Sequence, residues 1–235
     1  MSQPFSDAVE AVQQEAGELL RLVKPKLRGW LHLGMVPLTL AAAIVLIVLA
    51  PAGKPRIGAV VFGVTSMLLF TTSAIYHRGT WGPRVGGALK RMDHSNIFLV
   101  IAGSYTPFAL CLLDRSQATQ LLVIVWTGAF AGVLFRVAWI EAPRWLYTPV
   151  YVALGGVAVF YFGPLTRGGG IAVVTLIAAG GVLYTLGAVV YGIKRPNPSP
   201  RWFGFHEVFH ALTVLAFATH YMAASLAIYS LHPTA

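Results

Sequence analysis

The sequence predicts an all-α membrane protein with seven transmembrane helices, the N-terminus in the cytoplasm and the C-terminus outside. Of the 235 residues, 57% are hydrophobic and only 11% are charged, whereas about a quarter of the residues of a soluble domain are charged. Crossing a bilayer takes about 20 apolar residues, and stretches of that kind recur along the whole chain. They occupy residues 30–50, 57–77, 94–113, 119–139, 147–164, 170–192 and 204–230.

The lysines and arginines predict the orientation of these spans. Four of them lie in the connections after spans 1, 3 and 5, and thirteen lie before span 1 or after spans 2, 4 and 6. Cytoplasmic connections carry an excess of basic residues, so the richer side is predicted to be cytoplasmic. Its members are Arg21, Lys24, Lys26, Arg28, Arg78, Arg84, Lys90, Arg91, Arg136, Arg144, Lys194, Arg195 and Arg201.

Residues 1–29 are predicted to be separate from the transmembrane domain, which comprises residues 30–235. Apolar side chains recur at helical spacing over residues 5–23, opposite acidic and amide side chains, and a basic linker follows. This pattern is typical of an amphipathic helix lying on the membrane interface. The alternative is a helix packed on the cytoplasmic loops.

Two pairs of residues spaced one helical turn apart stand out within the apolar stretches. Ser73 precedes His77 by four residues, and His206 precedes His210 by four, so each pair shares one helix face. Asp93 lies between the pairs in sequence, at the start of span 3. The predicted topology places all five residues at similar depth on the cytoplasmic side. Ionisable residues are costly inside a membrane and usually functional.

Three neutral imidazoles and a water form the ligand set of many catalytic zinc sites. Calcium and magnesium prefer oxygen ligands, so His77, His206 and His210 predict zinc. Asp93 is then a candidate to orient or deprotonate the zinc-bound water, and Ser73 to donate a hydrogen bond to it or to a developing oxyanion. The alternative is that these histidines only hydrogen-bond between helices.

Residues 206–210 also match the metalloprotease pattern H-E-x-x-H, in which Glu207 would be the general base. Adjacent residues on a helix diverge by about 100°, so Glu207 faces away from His206, toward the basic loops, and Asp93 is the preferred partner of the water. His94 is better explained by a structural role than by metal binding. His32 could support the metal ligands from behind, although a structural or lipid-headgroup role is preferred.

The chain resembles the hemolysin III family, the bacterial branch of the progestin and adipoQ receptor group. Five segments carry the resemblance, in family order: residues 24–32 (KPKLRGWLH), 73–77 (SAIYH), 91–97 (RMDHSNI), 101–108 (IAGSYTPF) and 206–210 (HEVFH). The resemblance implies a bacterial cytoplasmic-membrane protein with zinc held by His77, His206 and His210, and with Ser73 and Asp93 nearby. It also implies kinship with the alkaline ceramidases, which hydrolyse a lipid amide.

The predicted function is hydrolysis of a lipid amide or ester by zinc-activated water. Two alternatives stay open: a non-enzymatic membrane regulator or sensor with structural zinc, and the pore-forming activity that the family name indicates. The expected partners are membrane lipids, and no soluble protein partner is implied. Nucleic acid is not expected despite the formal charge of +9, because the basic residues are scattered singly between apolar runs.

Overall fold

The structure of the chain, a computed structural model, describes residues 25–230. Apart from one isolated bridge between Ser199 and Phe203, this part is helical and contains no β-strand. The predicted amphipathic helix over residues 5–23 lies outside the described residues. The elements are α1 (Trp30–Leu49), α2 (Lys54–Arg78), α3 (Pro83–Leu112), α4 (Arg115–Ala138), α5 (Arg144–Gly156), a 3₁₀ helix (Val157–Tyr161), α6 (Phe162–Ile193) and α7 (Phe205–Tyr229).

Six helical stretches among the described residues are long and apolar enough to cross a membrane: α1 to α4, α7, and the continuous stretch Arg144–Ile193. That last stretch has 50 residues and contains the fifth and sixth predicted spans. Its two ends are in contact, because Arg144 Nη1 donates a hydrogen bond to the carbonyl of Tyr191 (3.1 Å). The hydroxyls of Tyr147 and Tyr191 lie 3.2 Å apart. The stretch therefore folds back on itself.

Two breaks in helical geometry accompany this reversal. The first is the 3₁₀ helix between α5 and α6. The second is Gly170 inside α6, with φ 76° and ψ 171°, a backbone conformation that glycine adopts far more readily than other residues.

Tyr105 of α3 hydrogen-bonds to the first of these breaks. The backbone N–H of Ala158 donates to the tyrosine oxygen (2.8 Å), and the hydroxyl donates to the carbonyl of Gly155 (2.5 Å). Backbone polar groups inside a membrane need a protein partner, since lipid tails offer none. The tyrosine thus satisfies groups that a regular helix would have paired internally.

Small residues let α2 and α3 approach closely, as is common in membrane helix pairs. A Cβ atom on Gly58 would lie only 2.8 Å from the Cα of Pro107, and one on Gly103 would collide with Thr65. Buried apolar residues form two clusters, one mainly between α3, α4, α5 and α6 and one between α1 and α2, and α7 contributes to both. Large apolar side chains face outward around the bundle, among them Ile44, Val64, Phe130, Leu134 and Leu226.

Helix α3 starts at Pro83, earlier than the predicted start of span 3 at residue 94. The apolar stretch marks only the part of a helix that suits hydrocarbon, whereas the helix itself continues through Arg84, Lys90 and Arg91. Proline at the first helical position favours this earlier start, because its missing N–H has no intrahelical partner there. Asp93 consequently lies well inside α3 and has a defined side-chain direction.

Candidate metal site and cavity

His77, His206 and His210 come together at the end of the bundle where α2 ends and α7 begins. All three side chains are buried, and one nitrogen of each lies within 4.8 Å of the others. The Nε2 atoms of His77 and His206 are 3.2 Å apart. Two helices that are distant in sequence therefore present three imidazoles to one point, as the spacing of the residues predicts.

The three histidines fit the ligand set of a zinc ion. Zinc–nitrogen bonds of about 2.0–2.1 Å in tetrahedral geometry place ligand nitrogens roughly 3.3 Å apart, close to the separation of His77 and His206. Nδ1 of His210 is buried and has no hydrogen-bond partner among the described residues. A direct hydrogen bond between His77 and His206 satisfies only those two side chains, whereas a metal ion binds all three. The residues that would hold zinc are thus His77, His206 and His210.

Asp93 lies beside this cluster. Its Oδ2 atom is 3.5 Å from Nε2 of His77, and the residue is buried. The group of three nitrogens within 4.8 Å does not include this carboxylate, so Asp93 is placed next to the ligand set. Ser73 is also buried, one turn before His77, and lines the same cavity as Asp93. All five predicted site residues therefore meet in one region.

A cavity of about 440 Å³ extends from the histidine cluster between α3, α5, α6 and α7. This volume is within the usual range for small-ligand pockets. His206 and His210 line one end, and His220 lies ten residues further along α7, roughly 15 Å away, with Phe108 and Tyr184 beside it. Apolar side chains form most of the wall between the two ends, including Val100, Ile101, Tyr151, Val152 and Ile177.

Glu207 points away from the cavity. Arg28 Nε donates a hydrogen bond to Glu207 Oε1 within an ion pair, and the backbone N–H of Gly204 donates to Oε2 (2.8 Å). The carboxylate therefore caps the start of α7 and binds a basic residue before α1. Both contacts hold Glu207 away from the three histidines, whereas the carboxylate of Asp93 lies beside them.

His32 also lies beside the three histidines. The sequence pattern alone did not show this position. Its ring stacks on that of His210, with centroids 3.7 Å apart and planes at 9°, and neither of its nitrogens has a hydrogen-bond partner among the described residues. Only 2% of the residue is exposed, so contact with lipid headgroups does not explain it. The available signal was its place at the start of an apolar span, which does not say which face it occupies.

The fold and the site define a multi-pass α-helical membrane protein with a buried three-histidine cluster at one end of an apolar cavity. Residues 20–221 match the family described as Haemolysin-III related. The chain belongs to this family, as its motifs predict.

Two curated relatives agree with this assignment. The Hemolysin-3 homolog of Bacillus subtilis (strain 168) is 34% identical over 146 residues, which cover 62% of this chain and 68% of that protein. Hemolysin-3 of Bacillus cereus is 32% identical over 160 residues, which cover 66% of this chain and 71% of that protein.

Proposed function

We propose that this chain is a zinc-dependent hydrolase that cleaves a lipid amide or ester at the cytoplasmic side of the cell membrane. One observation carries the proposal: three buried imidazoles meet beside the Asp93 carboxylate at one end of an apolar cavity of about 440 Å³. The residues that would activate a water molecule therefore lie at one end of the cavity that would bind a hydrocarbon chain.

The residues divide the chemistry between them. Zinc, when bound to His77, His206 and His210, supplies a Lewis acid and lowers the pKa of a bound water to about 7. Asp93 accepts the proton as the water oxygen bonds to the carbonyl carbon of the lipid. Ser73 donates a hydrogen bond to the developing oxyanion. The bond from the carbonyl carbon to the amine or alcohol then breaks, and Asp93 returns the proton to the leaving group.

A lipid tail fits the rest of the cavity. Several of the residues that line it are also exposed on the outer surface of the bundle, including Val159 of the 3₁₀ helix and Val182 and Leu186 of α6. This arrangement supports entry of a tail sideways from the bilayer, between the 3₁₀ helix and α6. A tail that moves from the hydrocarbon of the bilayer into this cavity stays in apolar surroundings, so the transfer carries no large hydrophobic penalty.

We infer that the membrane domain has seven spans. The stretch Arg144–Ile193 folds back on itself, which supports counting it as two spans, one before Gly170 and one after. With the basic connections in the cytoplasm, the N-terminus is inside, the C-terminus is outside, and the histidine cluster lies near the cytoplasmic interface.

The kinship with alkaline ceramidases that the family resemblance implies favours a lipid amide as substrate. The name of the Bacillus relatives gives pore formation as a second candidate. A water-filled pore needs a polar path through the bundle, whereas the walls of this cavity are mainly apolar. A regulator with structural zinc needs the same three histidines, so only turnover separates it from the enzyme.

The test is turnover by the full-length, zinc-loaded protein in lipid nanodiscs against a panel of ceramides, other lipid amides and lipid esters. Mass spectrometry would detect the released fatty acid, and dye release from sealed vesicles would detect pores. Release of fatty acid that stops when zinc is chelated and resumes when zinc returns is the expected result. Zinc-loaded protein that releases no fatty acid from any lipid in the panel would overturn the hydrolase proposal.

A further inference from the structure

Arg136, near the end of α4, is a buried cation whose direct contacts among the described residues are all with neutral groups. It has no exposed surface, and no carboxylate in residues 25–230 forms an ion pair with it. The guanidinium donates to the carbonyls of Trp139 (3.3 Å) and Ile140 (3.0 Å) and stacks 4.1 Å from the ring centre of Tyr147. Its remaining partner is Nδ1 of His94, at 2.5 Å.

This last contact determines which nitrogen of His94 carries a proton. Arginine has five N–H donors and no acceptor, so Nδ1 of His94 accepts the hydrogen bond and carries no proton. A neutral imidazole with a bare Nδ1 has its hydrogen on Nε2. His94 is therefore held in the tautomer that donates from Nε2, on the side of the ring away from Arg136.

His94 is also held in place at the wall of the cavity. Tyr151 donates a hydrogen bond to the backbone carbonyl of His94 (3.1 Å), and the ring of Tyr147 packs at 6.1 Å between centroids. The residue follows Asp93 in α3, and both line the cavity together with Ser73. Nδ1 of His94 already accepts a hydrogen bond from Arg136. Nε2–H is therefore the polar group of the His94 ring that remains available to a ligand.

We propose that Nε2–H of His94 donates a hydrogen bond to the carbonyl oxygen of the lipid bound in this cavity, and that Arg136 is the positioning residue that fixes the donor. The ligand class rests on the proposed function. As water adds to the carbonyl carbon, the electron pair of the C=O bond moves to this oxygen, and the hydrogen bond strengthens. A donor that is already oriented stabilises that charge without reorganising.

The decisive experiment uses a long-chain ketone, which has a carbonyl group but no leaving group. A ¹³C-labelled ketone is bound to the full-length, zinc-loaded protein in nanodiscs, and the carbonyl stretching band is recorded by infrared spectroscopy. His94→Phe removes the donor, and His94→Gln keeps an N–H near the position of Nε2. We expect the band at lower frequency in the wild type and in His94→Gln than in His94→Phe, compared at equal zinc content.

Two further measurements separate this role from a structural one. Nitrogen-15 NMR of labelled histidine should show a bare Nδ1 for His94 in the wild type and in Arg136→Lys, and a mixture of tautomers in Arg136→Met. Where turnover is measurable, His94→Phe should lower kcat by about 10²–10³-fold, the usual effect of losing one oxyanion donor, with little change in KM. His94→Gln should recover part of that loss.

The outcomes distinguish this inference from the proposed function. A ketone band that depends on His94 in a protein without turnover would support the donor and refute the hydrolase. Turnover with an unchanged band and an unchanged kcat in His94→Phe would refute the donor and leave the hydrolase intact. If His94→Phe does not fold, His94→Asn replaces it, because the shorter amide cannot place an N–H at the position of Nε2.

Discussion

Arg28 and Glu207 form an ion pair between the segment before α1 and the first turn of α7. The N–H of Lys26 donates to the carbonyl of Arg201, and the N–H of Leu27 donates to the carbonyl of Trp202. These two backbone hydrogen bonds join the same parts of the chain. Because His206 is the neighbour of Glu207, this connection fixes the start of the helix that supplies two of the three clustered imidazoles.

Glu207→Gln should keep zinc and turnover but lower the free energy of unfolding. Glutamine still accepts from the N–H of Gly204, whereas Arg28 loses its charged partner, at a cost on the order of 1–3 kcal/mol. Thermal unfolding and zinc content of the purified variant measure the two effects. Arg28→Gln is the matched variant, and the double variant should lose less than the sum of the two single losses. Abolished turnover in a zinc-loaded Glu207→Gln protein would instead identify Glu207 as the base.

The pairing of residues at helical spacing made much of the site predictable. Ser73 with His77 and His206 with His210 needed only a helix and a common depth, and the apolar stretches supplied both. The apolar stretch of span 3 begins at residue 94, whereas α3 begins at Pro83, because hydropathy marks the apolar part of a helix and not its basic first turns. The depth expected for Asp93 does not depend on where the helix begins, and its carboxylate lies 3.5 Å from Nε2 of His77.

The contacts around the site could not be predicted in the same way. Arg136 contacts His94 across 42 residues of sequence, and Tyr105 contacts Gly155 across 50. No periodicity relates such residues, and their meeting depends on how the helices rotate and pack. The stacking of His32 on His210 could not be predicted for the same reason. The position of His32 at the start of an apolar stretch indicates its depth in the membrane but not the face of α1 on which it lies.

The second prediction concerns metal content. Purified protein should bind about one zinc per chain, and His206→Ala and His210→Ala should each lose most of it, because two remaining ligands hold zinc weakly. Elemental analysis after dialysis against a weak chelator measures the loss. His220→Phe is the matched control, since His220 lies roughly 15 Å from His210 along α7 and should leave the zinc content unchanged. Full zinc content in a His206→Ala/His210→Ala double variant would contradict the site.

The third prediction concerns the ring of His32 stacked on His210. His32→Ala removes the stacked surface, and we expect it to weaken zinc binding by about 10-fold or more, the usual scale for groups that orient a ligand. His32→Phe keeps a flat ring at the same place and should retain most of the affinity. Competition with a zinc-binding dye measures both variants. Equal weakening in the two variants would mean that the nitrogens of His32 are needed and stacking alone is insufficient.

The fourth prediction concerns orientation in the membrane. Cys111 is the only cysteine, so Cys111→Ala provides a background for single-cysteine labelling. A cysteine at Arg84 or Pro198 should be protected from an impermeant thiol reagent in cells with an intact inner membrane, and one at Arg167, which is exposed between spans 5 and 6, should react. The excess of basic residues in the connections that contain Arg84 and Pro198 predicts that these connections are cytoplasmic. The opposite labelling pattern would place the histidine cluster near the outer face.

The last prediction separates proton transfer from metal binding. Asp93→Asn should keep the fold and the zinc but lower kcat for a lipid amide by about 10²-fold or more, because an amide cannot accept the proton of the water. Ser73→Ala should lower kcat by at most the effect of one oxyanion donor, about 10²–10³-fold. Asp114→Asn is the matched control for the charge change. Asp114 caps α4 by accepting from the N–H of Gln117 (2.9 Å), and asparagine caps helices equally well, so zinc, stability and turnover should be unchanged. An Asp93→Asn protein with full zinc occupancy and undiminished kcat would exclude Asp93 as the base.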